Sequence, residues 1–171
     1  RPLSPGEHES WQRRLQESLR AAVERRLESE VRLGFLLSGG VDSASVFALG
    51  AEASPNPVDA FTIGFPGEAH DESTVARQVA DQWGAQHQVR RVKADSVDAL
   101  GTALYLAEEP LSTDALLPTA LVFEQVRKSG FTTVLTGEGS DEIMAGYSKF
   151  AAACDWVEGS PAWPDQGSPL E

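Results

Sequence analysis

Two glycine-rich turns carry the residue types from which chemistry could be built. The first, Ser38-Gly39-Gly40-Val41-Asp42-Ser43, follows the short apolar run Leu33-Gly34-Phe35-Leu36-Leu37 and opens a helical pattern. Glycines at such a point let successive backbone N–H groups turn inward around an oxyanion, at the positive end of a helix. The turn is not the common P-loop, which ends in Lys followed by Ser or Thr, because no Lys stands near it. Asp42 is its informative residue. A carboxylate beside a polyphosphate repels it unless a cation lies between them, so the turn implies Mg2+.

The second turn, Thr136-Gly137-Glu138-Gly139-Ser140-Asp141-Glu142, also follows an apolar run and opens a helical pattern, and Asp141 has the same placement as Asp42. If the strand order reverses between the two preceding strands, both turns line the crevice at the carboxyl ends of the sheet. Asp42 and Asp141 then share one Mg2+, which needs only one or two carboxylates beside phosphate oxygens and water. A plainer reading of either turn is an ordinary strand-to-helix connection, with glycines for geometry and Asp or Ser as caps. Glu138 read the same way is a solvated acid near a helix start.

The elements that position these turns follow from periodicity. Ser4, Pro5 and Glu7 form a helix start with a capping box. Trp11, Leu15, Leu19, Val23 and Leu27 then give one apolar stripe, expected to pack on the sheet or on a preceding domain. Strand and helix patterns alternate after that: helix 43–53, strand 58–63, helix 71–83, strand 87–92, helices 96–107 and 116–128, strand 132–136 and a helix from Ser140. Such alternation implies βαβ units, and the fold class expected is α/β, a doubly wound parallel sheet with helices on both faces. Domain 1–153 would be followed by a Pro- and Gly-rich tail, 154–171, in which Trp156 and Trp163 could dock.

Composition narrows the partners. The 171 residues suit one domain, and 41% hydrophobic with 23% charged residues suits a folded one. With 14 Lys and Arg against 26 Asp and Glu the net charge is −12, which disfavours nucleic acid and anionic membranes as partners. The single cysteine, Cys154, excludes an internal disulfide or a multi-cysteine zinc site and fits a reducing compartment. No apolar run reaches a membrane span and the charged start lacks a signal-peptide core, so the expected location is cytoplasmic.

Taken together, SGGVDS and TGEGSDEIMAGY resemble the synthetase domain of asparagine synthetase and its relatives, the β-lactam synthetases and lasso-peptide cyclases. SGGxDS alone is shared with GMP synthetase, NAD synthetase and tRNA-modifying enzymes, and so implies only cleavage of ATP to AMP and pyrophosphate. Phe61-Thr62-Ile63-Gly64-Phe65, Asp71-Glu72 with Ala76-Arg77, His87, and Glu109-Pro110 with Asp114 agree in order, and the resemblance covers roughly Leu33 to Phe150.

The resemblance implies a PP-loop ATP pyrophosphatase fold of the adenine nucleotide alpha hydrolase type. It makes Ser38, Gly39, Gly40, Asp42 and Ser43 the pyrophosphate loop of an ATP site, with Asp42 and Asp141 as Mg2+ ligands. Leu37, Ile63 and Gly137 would contact adenosine, largely through backbone. Glu138 would form or consume an acyl-adenylate, orienting or deprotonating the incoming amine. The expected reaction adenylates a small, aspartate-like carboxylate and passes it to an amine. The alternatives are a lasso-peptide or β-lactam cyclase and a catalytically incomplete ATP-binding module. Asp71 and Glu72 are expected as plain first-turn acids, His87 as structural, and Asp114 as a substrate contact. The family pattern also includes a glutaminase domain and a helical segment beyond Tyr147 with a basic residue. Neither is recognisable here, so the chain is expected to be incomplete at its C-terminal side or to work with a partner polypeptide.

Overall fold

The computed structural model of the protein describes residues 4–69, 71–109 and 115–150. The order of elements is α1 (Pro5–Leu27), β1 (Leu33–Leu36), α2 (Val41–Ala53), β2 (Asp59–Gly64), α3 (Ser73–Gln82), β3 (Gln86–Arg91), a 3-10 segment (Ala94–Ala99), α4 (Leu100–Ala107), α5 (Leu116–Lys128), β4 (Thr133–Leu135) and α6 (Ser140–Met144). The chain divides into two compact units, Arg1–Gly137 and Glu138–Glu171. The first holds the sheet with α1 to α5, and the second holds α6. The expected tail, with Cys154, Trp156 and Trp163, lies outside the described residues, as does Asp114.

All four strands are parallel, in the order β3-β2-β1-β4. The chain moves outward from β1 to β2 to β3, then returns to place β4 on the other side of β1. The strand order therefore reverses between β1 and β4, as the sequence reading required. Alternate side chains along the strands feed two cores. Phe35, Leu37 and Ala60 pack with Phe47 of α2 and Ala76 and Ala80 of α3, while Phe61 packs with Val122 and Val126 of α5 and with Phe131. Because strand neighbours point to opposite faces, this partition sets helices on both sides of the sheet. Edge-to-face ring pairs tie each core, Phe35 on Phe47 at 5.7 Å and Phe61 on Phe131 at 5.2 Å. Such a pair contributes about 0.5–1.5 kcal/mol beyond its buried area.

α1 and the segment before α4 differ from expectation. α1 has the expected capping box, but its stripe divides. Val23 is buried and Leu27 packs on the α2 side of the core, whereas Trp11 is 53% and Leu15 44% exposed. Length explains the division: 23 residues span about 35 Å, and the 13 residues of α2 only about 20 Å, so α1 outruns its partner. The single helix expected over 96–107 is a 3-10 segment leading into α4. There the Ser96 hydroxyl accepts from the Lys93 N–H at 3.0 Å, and this kind of local bond competes with the regular α-helical ladder.

Close packing at Gly50 of α2 gives a test of the first core. A Cβ there would lie 2.3 Å from Cζ of Phe35, whose ring is fully buried against Phe47. Gly50→Ala is expected to lower the thermal unfolding midpoint by about 3–10 °C, measured by circular dichroism.

Candidate functional site

The residues that resemble a pyrophosphate loop lie where β1 gives way to α2. Leu37 keeps one more sheet bond, its N–H donating to the Phe61 carbonyl at 2.9 Å, and the chain then turns at Ser38. The Leu37 carbonyl accepts from the Thr62 hydroxyl. Inside the turn, serine oxygens take the first backbone donors. Ser38 N–H donates to Ser43 Oγ at 3.1 Å, Gly40 N–H to Ser38 Oγ at 3.1 Å, and the two hydroxyls are 2.8 Å apart. Gly40 is the N-cap of α2, and among the described residues no side chain caps the helix. Its first-turn N–H groups, on Val41, Asp42 and Ser43, thus have no side-chain partner among the described residues, which is the arrangement that attracts anions. Asp42 is half-buried in this first turn. Among the described residues its carboxylate is engaged by no other side chain.

Beside the turn is a small open concavity lined by Leu37, Ser38, Thr62, Ile63, Phe65 and Glu72. Leu37 and Ile63, expected to contact adenosine, are both in its wall. Gly137, the third of that set, lies against the first turn of α2. A Cβ on it would stand 2.6 Å from Ser43 N and 2.9 Å from the Asp42 carbonyl carbon. Gly137 is therefore fixed by backbone crowding, and this close approach joins the loop after β4 to the loop after β1.

Asp71 and Glu72 divide their roles. α3 begins at Ser73, later than expected, with Glu72 as its N-cap. Asp71 Oδ1 accepts from Ser73 N–H at 3.0 Å, and its hydrogen bonds from Ser73, the side-chain one foremost, hold its carboxyl below the usual range. Asp71 thus has the plain helix-start role expected of it. Glu72 does not: its Oε2 accepts from Gly39 N–H at 3.0 Å. Sequence reasoning missed this contact because the partners stand 33 residues apart and nothing in either segment marks the other.

His87 is structural, and its surroundings define its state. Its Nε2 lies 2.7 Å from Thr62 Oγ1. That hydroxyl spends its only proton on the Leu37 carbonyl, so Nε2 carries the imidazole proton and donates. Nδ1 is buried with no hydrogen-bond partner among the described residues. Burial foremost, then the charge of Arg77, pushes the imidazole down to about 4, because protonated Nδ1 would be a donor without an acceptor.

In the second unit, Asp141 is the second residue of α6, just as Asp42 is of α2. Glycine precedes both helices, and Gly139 is left-handed at φ 90. α6 ends at Ala145, also left-handed at φ 56, and Gly146 N–H donates to the Asp141 carbonyl at 3.0 Å. A Cβ on Gly146 would lie 1.9 Å from Asp141 Oδ1, so Gly146 is what makes room for that carboxylate. Tyr147 donates to Glu142 Oε1 at 2.6 Å. This bond pushes the phenol up to about 12, with the charges of Asp141 and Glu138 adding to the shift. Glu138 is exposed at the head of the unit. Among the described residues no helix is long and apolar enough to cross a membrane.

Comparison with known proteins bears on the family and the fold. The family model for asparagine synthase matches residues 14–169. A Mycobacterium bovis protein provisionally named an asparagine synthetase (glutamine-hydrolysing) is 37% identical over 131 residues, 76% of this chain and 20% of that protein. Asparagine synthetase (glutamine-hydrolysing) 2 of Oryza sativa subsp. japonica is 34% identical over 151 residues, 81% of this chain and 25% of that one. The chain thus spans about a fifth to a quarter of the length of these curated relatives. Among solved structures, the ADP complex of glutamine-dependent NAD+ synthetase from Acinetobacter baumannii has a TM-score of 0.56 at 21% identity, covering 77% of this chain and 26% of that one. This likeness concerns the fold.

Two measurements test the site's construction. Gly137→Ala forces a carbon against backbone atoms that no rotamer change can clear, and is expected to destabilise the chain by about 1–3 kcal/mol in denaturant titration. For His87 the folded-state value of about 4 lies below the ordinary 6.5, so as pH falls the unfolded chain takes up the proton first. Stability linked to His87 is complete above pH 6.5 and declines between 6.5 and 4. Denaturation midpoints measured from pH 7 to 5 should fall in the wild type, and fall less in His87→Gln, which keeps an amide donor for Thr62.

Proposed function

The chain belongs to the asparagine synthase family, and on that premise we propose that it is the ATP-handling part of an amide-forming synthetase. Its substrates would be ATP and a small, aspartate-like carboxylate. The carboxylate attacks the α-phosphorus of ATP, pyrophosphate leaves, and an amine then displaces AMP from the acyl-adenylate to give the amide. The observation that carries this reading is the uncapped start of α2, set behind Ser38, Gly39 and Gly40 and pressed by Gly137 at the point where the strand order reverses. Open parallel sheets bind ligands at such points.

In this reading the first-turn N–H groups of α2, with Ser38, Gly39, Gly40 and Ser43, receive the pyrophosphate portion. Their task is to hold oxyanions in place as charge develops on the leaving group. Leu37 and Ile63 wall the concavity that would take adenosine, with Gly137 beside the loop. Asp42 suits Mg2+: it is a hard oxygen donor without a competing side-chain partner among the described residues, next to the anion position. Asp141 joins it as a Mg2+ ligand on the strength of the sequence motif. Mg2+, when bound, neutralises polyphosphate charge and favours departure of pyrophosphate. Among the described residues no group of three or more His, Cys, Asp or Glu could hold a metal alone, so phosphate and water would complete the shell. Glu138 orients or deprotonates the amine.

Residues 1–153 would act as one synthetase domain, in the cytoplasm. The glutamine-hydrolysing names of the relatives support a glutaminase domain or subunit as source of the amine, and their greater length supports a further synthetase segment after this chain.

Exchange of labelled pyrophosphate into ATP is the direct test. Exchange that requires aspartate is expected, and Asp42→Asn should lower it by about a hundred-fold or more. Binding of Mg-ATP without exchange, even with the C-terminal segment supplied, would reduce the chain to a nucleotide-binding module. Absence of Mg-ATP binding in calorimetry would overturn the reading altogether.

A further inference from the structure

Each of the three turn N–H groups, on Ser38, Gly39 and Gly40, already has an acceptor. Two of these acceptors are hydroxyls from within the turn, those of Ser43 and Ser38. The third differs in kind. Gly39 N–H donates to the carboxylate of Glu72 at 3.0 Å, so a side chain from the start of α3 sets a full negative charge on one donor of a turn whose other two N–H groups are held by serine hydroxyls.

The placement is tight. A Cβ on Gly39 would lie 2.8 Å from Cβ of Glu72, 3.2 Å from Cβ of Val75 and 3.3 Å from Cδ of Glu72, so the stem of Glu72 lies flat on the space that glycine leaves free. Its root is held as well, since the bond from Ser73 N–H to Asp71 fixes the turn that starts α3. The same side chain lines the concavity with Leu37, Ser38, Thr62, Ile63 and Phe65. The carboxylate can thus turn aside by rotation of its own bonds, while its backbone stays beside the turn.

We propose that Glu72 is an anion place-holder that makes this loop select cation-bound polyphosphate over the bare anion. The inference rests on the reading of Ser38 to Ser43 as the pyrophosphate loop. With no ligand, the carboxylate satisfies Gly39 N–H, which would otherwise be an unpaired donor near a helix start. An arriving phosphate oxygen needs that same N–H and displaces the carboxylate. Because the root of Glu72 does not move, the displaced charge remains close to the phosphates and repels them. A divalent cation on the polyphosphate removes most of the repulsion; a bare anion meets all of it. Glu72 therefore weakens binding of free phosphate and pyrophosphate more than binding of their magnesium complexes.

The test uses the intact chain as wild type, Glu72→Gln and Glu72→Ala, each checked for an unchanged melting profile. Sodium pyrophosphate and ATP are titrated calorimetrically, first with EDTA and then with MgCl2. The glutamine variant keeps an acceptor for Gly39 N–H and removes only the charge, so it decides the matter if the alanine variant folds poorly. Metal-free pyrophosphate is expected to bind Glu72→Gln about ten-fold more tightly than wild type, with a clearly smaller gain in magnesium. Wild type that binds Mg-ATP, beside variants whose metal-free affinity is unchanged or weaker, overturns the place-holder and leaves the loop reading standing. If none of the three proteins binds either ligand in either condition, both are overturned.

Discussion

The candidate site depends on one close approach of backbone to backbone. β1 and β4 are parallel neighbours, so the segments that leave them emerge at the same edge of the sheet. The segment after β1 must turn at once into α2, and the segment after β4 must pass beside that turn. Only a residue without a side chain passes there, because a Cβ on Gly137 would enter the contact distance of Ser43 N and the Asp42 carbonyl carbon. Strand order thus brings two loops together, and a single missing carbon lets them touch.

Satisfying buried polar groups explains much of what surrounds the turn. The parallel ladder ends at Leu37, and its carbonyl would lose a partner where the chain leaves the sheet. Thr62 supplies that partner through its side chain, and His87 in turn donates to Thr62. Three strands are linked in this way beneath the concavity without charge, which a buried position favours. The turn above obeys the same requirement by borrowing oxygens from Ser38, Ser43 and Glu72. In a chain with a net charge of −12, attraction for an anionic ligand has to be local, and the first-turn N–H groups of α2 together with a cation on Asp42 would supply it.

The second unit shows how a short motif can be a folding instruction. α6 has only five residues, too few to be stable on helix propensity alone. Left-handed residues bound it on both sides, and Tyr147 clasps Glu142 across its end. Within TGEGSDEIMAGY the resemblance gave roles only to Gly137, Glu138 and Asp141. Gly139, Gly146 and Tyr147 are the parts that shape the turn around Asp141, with Gly146 leaving space for its carboxylate.

The strand and helix alternation, the capping box of α1, and the two turns with their aspartates at matching helical positions were legible in the sequence, because each rests on local periodicity or on the conformational freedom of glycine. α5 was legible to the residue, as was the need for the strand order to reverse. Illegible were the exposure of Trp11 and Leu15, which depends on how far α2 extends, and the 3-10 segment before α4, where a local Ser96 bond outweighs pattern. Least legible was Glu72, which resembles any first-turn acid until the fold sets it on Gly39. By itself the sequence determined which segments could cradle an oxyanion and which carboxylates lay near them. Tertiary structure alone decided which distant side chain fills that cradle, because a hydrogen bond spanning 33 residues exists only once strand pairing has brought its two ends together.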